Sequence, residues 1–242
     1  MRYTWVEFKR AVLSLSFLLS AVAMAAVMIY CANETVTQLF KNELMPSDVM
    51  IGELCRSVLN SDTALFAIPI VATVPFSCCF LDDMSSHFVK ELLTRVSKCN
   101  YTVSKTVALI MSAGFSAVLS IALFELTMYI LCVAAGGVPA VDAAMLRLSI
   151  TLMGKYFVFF ALWAVCGALI GTGTDSKCVV YASPFIIYYL LIIIKSRYLH
   201  TVDAIDPRIW CSSTGGVITI VSLLTILGVS AYIMVRRRLK VV

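Results

Sequence analysis

The chain has 242 residues, 61% of them hydrophobic and only 14% charged, with a net charge of +5. Soluble domains carry roughly 25% charged residues, and one of this length would leave much of this apolar surface in water; disorder needs the opposite composition, and the 11 glycines and 6 prolines follow no fibrous period. What remains is a polytopic membrane protein, in which the placement of charge matters more than its sum, so that +5 is no argument for nucleic-acid binding.

A hydrocarbon core of ~30 Å takes about 20 helical residues to cross, and six stretches qualify: about 11–31, 63–81, 107–134, 149–172, 178–194 and 217–235. The first follows a basic start (Arg2, Lys9, Arg10) and is longer than the apolar region of a signal peptide, so it reads as an uncleaved span. Span two carries Pro69 and Pro75, and span five Pro184; each removes a backbone donor and crowds the preceding turn, which predicts kinks.

The inner loop from 82 to 106 is larger than a turn needs. Phe88, Leu92, Leu93 and Val96 form one stripe of a helix, with Asp82 or Asp83 as its cap and Lys90, Glu91 and Arg95 on its wet face. This spacing predicts a short amphipathic helix against the inner membrane surface. The connection 171–176, Gly-Thr-Gly-Thr-Asp-Ser, reads as a glycine stop followed by N-caps, which makes spans four and five a tight hairpin. The outer segment 195–216 holds Tyr198, His200, Pro207, Trp210 and Gly215-Gly216, a composition open to a broken or re-entrant excursion. Of nine cysteines most lie in apolar runs; Cys55 and Cys211 fall in outer loops and are candidates for pairing.

With the N-terminus inside, the inner segments hold Arg2, Lys9, Arg10, Lys90, Arg95, Lys98, Lys105, Lys177, Arg236, Arg237, Arg238 and Lys240, which is 12 of the 19 basic residues. The positive-inside rule then places both termini in the cytoplasm. The expected fold is an all-α membrane protein of six spans forming one transmembrane domain over 1–242.

Motifs for chemistry are scarce. There is no G-x-x-x-x-G-K-[ST] phosphate loop, and Gly171-x-Gly173 has no βαβ unit around it, so any nucleotide must bind another chain. Gly114-Phe115-Ser116-Ala117 has the form of an intramembrane serine protease motif, but both histidines, His87 and His200, lie outside the spans and leave the serine without a base. Asp82, Asp83 and His87 as a metal site is weakened by the divergence of adjacent residues on a helix; no metal site is expected. Glu125 is the one acid well inside a span, and Lys155 lies at a similar depth in the next one, about 9 Å below its start against ~13 Å for Glu125. Two readings stay open for them: an ion pair fixing spans three and four, or a carboxylate on a translocation path. Gly167-x-x-x-Gly171 permits close helix contact, either within the subunit or across a dimer.

The layout resembles the permease subunits of type-2 ATP-binding-cassette exporters over the whole chain. The resemblance is carried by the amphipathic start Trp5-Val6-Glu7-Phe8-Lys9-Arg10, by the inner-loop pattern Phe80-x-x-Asp83, Lys90, Arg95, Tyr101, Lys105, and by Pro184-Phe185-Ile186-Ile187-Tyr188-Tyr189 and Asp206-Pro207-Arg208-x-Trp210, which are similar to landmarks of the small bacterial peptide-exporter and immunity branch. Members often show an acidic residue and a glycine early in the coupling helix, where this chain has Ser85-Ser86. The resemblance implies a multi-pass protein of a bacterial cell membrane that pairs with a second permease subunit, homodimeric or heterodimeric. It implies docking of a separate ATPase through a coupling helix containing Asp82, Asp83, His87, Phe88, Lys90, Glu91 and Arg95, with ATP and Mg held by that ATPase and no cofactor bound here. The cargo is an amphiphile, peptide or lipid-like; no enzyme activity of its own is implied. A non-transporting scaffold or immunity protein, or an intramembrane enzyme, are the alternatives.

Overall fold

The computed structural model describes residues 2–41, 45, 49–85, 89, 96–139, 143–199, 202, 205–212 and 214–241. Ten helices account for most of them: α1 (Arg2–Val12), α2 (Leu15–Cys31), α3 (Asn33–Phe40), α4 (Ile51–Leu59), α5 (Asp62–Val71), α6 (Cys79–Ser85), α7 (Lys98–Ala134), α8 (Ala143–Thr174), α9 (Lys177–Arg197) and α10 (Thr214–Val241). No strand occurs among the described residues. Four helices, α7 to α10, are long and apolar enough to cross a membrane; the count reaches six if two bent pairs, α1 with α2 (48°) and α4 with α5 (73°), each make one span. The protein is a multi-pass membrane protein.

The predicted spans and the helices overlap, but two differ in kind. The first expected span begins at 11, whereas α1 runs through Val12 and α2 starts afresh at Leu15 under an N-cap from Ser14, whose hydroxyl accepts from Phe17 N. The second expected span is interrupted: α5 ends at Val71, residues 72–78 form turns, and α6 follows. The cause is readable at Pro75. It has no N–H to give the Val71 carbonyl four residues back. That carbonyl instead accepts from Val74 N at 3.2 Å and from the Ser20 hydroxyl of α2 at 3.1 Å. A non-helical stretch is tolerated at such a place because its backbone finds other partners. The helices continue through Pro69 and Pro184.

α8 is the central element, packed against α7, α9, α10 and α4, while α9 and α10 lean on it and barely touch each other. α7 carries a stripe of buried small residues, among them Ser112, Ala113, Ser116, Ala117 and Ser120, against which α2 and α8 pack. The serine hydroxyls donate to Leu109, Ala113 and Ala117 carbonyls on their own helix, so they present little polarity to their neighbours. Gly114 is the seat of the Phe157 ring. Ser116 of the protease-like motif is thus a packing residue.

The glycines of Gly167-x-x-x-Gly171 face α9 of the same chain. A Cβ on Gly167 would lie 2.7 Å from the Val180 carbonyl oxygen and 2.8 Å from Thr73 Cγ2, and one on Gly171 would overlap Val180. The open choice between internal packing and a dimer face is therefore settled as internal. Gly171 and Gly173 do not stop the helix as expected, since α8 runs to Thr174. The stop is Asp175, a non-glycine residue at φ 54°, and Ser176 takes the N-cap position of α9 without a side-chain bond.

Candidate functional site

The polar residues of the described chain concentrate at the end of the bundle where α1, α6 and the start of α7 meet. α1 is amphipathic with Thr4, Glu7, Phe8 and Ala11 on one stripe, and Glu7 and Ala11 are buried there. On α7 the buried stripe begins Tyr101, Lys105, Ala108, Ser112. Both stripes therefore put an ionisable side chain where an apolar one belongs, and the two face each other.

Lys105 Nζ donates to Glu7 Oε2 at 2.7 Å and lies 2.7 Å from Asp83 Oδ2 of α6. All three are nearly sealed, at 5%, 3% and 2% exposure, which matters because a buried charge persists only if it is paired. Tyr3 donates its hydroxyl to Glu7 Oε1 at 2.8 Å, Tyr101 donates to Asp83 Oδ2 at 3.0 Å, and Arg10 reaches Asp83 Oδ1 at 3.3 Å from a half-exposed position. Among the described residues, two carboxylates thus meet two cations. The Lys105 ammonium also sits 5.4 Å from the centre of the Phe76 ring and 5.8 Å from that of Tyr101. A bond between Thr4 and Ser104 hydroxyls adds a second tie between α1 and α7.

This placement corrects the expectation for Asp83. It neither caps a helix nor lies on a docking surface; it sits inside α6, turned toward Lys105. Asp82, its neighbour on the helix, points elsewhere and pairs in the open with Lys177 at 2.5 Å. His87, Phe88, Lys90, Glu91 and Arg95 lie outside the described residues. The α8–α9 turn is held from the other side by Arg238 of α10, which binds the Asp175 carboxylate and the Gly173 carbonyl. α6 and α10 thus grip the same turn.

At the opposite end, Asp206 to Ser212 form a chain of turns folded back onto the bundle. Trp210 is buried, stacks on Trp163 of α8 at 6.4 Å and 13°, and meets Phe159 edge-on at 6.4 Å. Trp163 lies about 30 Å along α8 from Ala143, so the segment reaches well inside the bundle. Asp206 fixes the first turn of the segment by accepting from Arg208 Nε, Nη2 and backbone N, each at 3.0 Å. Burial alone raises the Asp206 carboxyl, but the side-chain and backbone bonds from Arg208 together outweigh it and hold the group below the usual aspartate range.

Glu125 and Lys155 do not pair. Lys155 donates to the Cys211 carbonyl at 3.1 Å, while Glu125 lines a cavity with Ser149. The two differ in depth and in angle: Lys155 lies six residues beyond Ser149, about 9 Å further along α8 and turned by about 240°, so it leaves both the level and the face that Glu125 meets. Cys55 and Cys211 are both free thiols buried in the apolar core. No group of three or more metal-ligating side chains occurs among the described residues.

Sequence reasoning had named Lys105, Tyr101 and Asp83 in the inner-loop pattern and Glu7 and Arg10 in the amphipathic start, without joining them. The signal was present, since Glu7 is the only acid before Glu34 and sits on the apolar stripe of its helix. Comparison with family models, with curated proteins and with solved structures finds no match.

Proposed function

We propose that this chain is the membrane-spanning permease subunit of an ATP-driven exporter of the type-2 ATP-binding-cassette kind, moving an amphiphilic peptide or lipid-like cargo. In this reading it crosses the bacterial cell membrane six times, with α1–α2 and the segment from α4 to α6 contributing to the first two crossings and both termini in the cytoplasm. It works with a second permease subunit and a separate ATPase, which holds ATP and Mg.

The observation that carries the reading is the Glu7–Lys105–Asp83 cluster. Asp83 stands at the entry to the inner loop that would dock the ATPase, and it pairs with Arg10 of the N-terminal helix and with Lys105 at the base of α7. A buried, fully paired ionic joint is stiff, because separating its members exposes an uncompensated charge. A push on the inner loop is thereby passed to α1 and to α7 together, and Asp82 with Lys177 passes it to the α8–α9 turn. The basic Arg236-Arg237-Arg238-x-Lys240 run after the last span, with no phosphate loop anywhere in the chain, supports a cytoplasmic C-terminus and a motor encoded elsewhere.

The test is purification from native membranes into lipid nanodiscs. An ATPase bearing a phosphate loop is expected to co-purify, and Phe88→Ala with Arg95→Glu is expected to uncouple its substrate-stimulated turnover. Absence of any bound ATPase overturns the reading. Binding without stimulated turnover turns it into a scaffold, and activity of the chain alone turns it into an enzyme.

A further inference from the structure

Glu125 leaves one atom unaccounted for. Its Oε1 is buried and has no hydrogen-bond donor. Lys155 is committed to the Cys211 carbonyl and Arg56 of α4 to Glu53, while Arg147, two residues before Ser149 on α8, is exposed and forms no ion pair with Glu125. The oxygen stands at a cavity of about 330 Å³ between α4, α7 and α8, within the size range of small-molecule sites. Apart from Glu125, Ser149 and Tyr129 its lining is apolar, with Ile51, Ala122, Leu126, Met145 and Leu146 among the walls.

A carboxylate in such surroundings calls for a donor that is itself charged. We infer that this cavity is a binding site for a primary ammonium group carried on an apolar body. An N–H of the ammonium completes Oε1, the positive charge balances the carboxylate, and Tyr129 is an aromatic neighbour in the same lining. The apolar walls take the rest of the molecule. A neutral apolar guest leaves Oε1 as it was, and a quaternary ammonium brings charge without a donor. The inference does not rest on the exporter reading, because it concerns binding to the chain alone.

The experiment is equilibrium dialysis of 4-phenylbutylamine against the purified chain in phosphatidylcholine nanodiscs, with empty discs subtracted. Saturable binding is expected, with 4-phenylbutan-1-ol and the trimethylated amine at least tenfold weaker. Glu125→Gln, which keeps the shape and removes the charge, is expected to weaken the amine at least tenfold and to leave the alcohol unchanged. Ala122→Phe, which keeps the charge and fills the cavity from an exposed position, is expected to abolish both. Repeating the titration in discs containing phosphatidylethanolamine identifies the source of the ammonium: competition names a lipid headgroup, and an unchanged affinity names a free amine. No saturable binding, equal binding of the alcohol, or full affinity in Glu125→Gln overturns the proposal. The comparison of amine with alcohol needs only the unaltered protein, so the test stands even if a variant does not fold.

Discussion

Lys105 Nζ lies 2.7 Å from Glu7 Oε2, although 98 residues separate the two in the chain. The bond closes the cluster between the first helix and α7, and its worth is best seen by removing one partner. Lys105→Met leaves Glu7 and Asp83 facing each other in a sealed space. Breaking a buried pair from one side costs about 3–5 kcal/mol. In a chain of this length each kcal/mol moves the unfolding midpoint by roughly 2–4 °C. A fall on the order of 10 °C in thermal unfolding in detergent is the expected outcome, with Glu7→Gln plus Lys105→Met less severe than the sum of the single changes. A fall under about 2 °C for Lys105→Met would remove the cluster as a joint of the fold.

The Asp206–Arg208 pair predicts a pH dependence confined to acid. The folded carboxyl is held below its ordinary value, so the stability it contributes is present above the unfolded aspartate pKa of about 3.9 and is lost as pH falls through the lower folded value. Hydrogen exchange of residues 205–212 is therefore expected to stay flat from pH 7 down to about 4, once corrected for intrinsic rates, and to rise below that. Asp206→Asn removes the carboxylate at every pH; its exchange is expected to be raised throughout and to lose the acid step. An acid step that survives in Asp206→Asn would assign it to another group.

The bundle itself was largely legible in the sequence, because length and apolar content report directly on what a bilayer requires. Helix ends were less so. α7 starts at Lys98 rather than near 107 because Asn100, Tyr101 and Lys105 carry the helix on past the apolar run, where hydropathy no longer registers it. The break at 72–78 was foreshadowed only as a kink at Pro75, since hydropathy says nothing about the Ser20 hydroxyl that makes a longer interruption tolerable. The Glu125–Lys155 pairing failed because α8 starts at Ala143 rather than near 149, which shifts the depth scale, and because the angle around the helix is a second coordinate that hydropathy does not report. The inner cluster was legible in pieces: charged residues on apolar stripes announce that they need partners, but which stripes meet is decided by tertiary packing.

Gly167 ties two of these features together. Pro184 has no N–H to offer the Val180 carbonyl, and the carbonyl it frees points at Gly167 of α8. The neighbouring helix can come this close only because Gly167 has no side chain. A Cβ there would sit 2.7 Å from a backbone oxygen that cannot swing away and 3.0 Å from Pro184 Cγ, so Gly167→Ala must push α9 off α8. Overpacking of this kind costs about 1–3 kcal/mol. Gly154, on the same helix, has nothing within 4 Å of a built Cβ, so Gly154→Ala adds a methyl to open space and raises helix propensity. Thermal unfolding of the two variants in the same detergent is expected to separate them, with Gly167→Ala lower by on the order of 5 °C and Gly154→Ala level with the parent or above it. Restoring room by Val180→Ala does not rescue Gly167→Ala, because the clash is with the Val180 main chain and not its side chain; at Gly171, where the overlap is with the Val180 side chain, the same second change is expected to recover most of the loss caused by Gly171→Ala. Rescue at both positions, or at neither, would contradict this account of how α8 and α9 are held together.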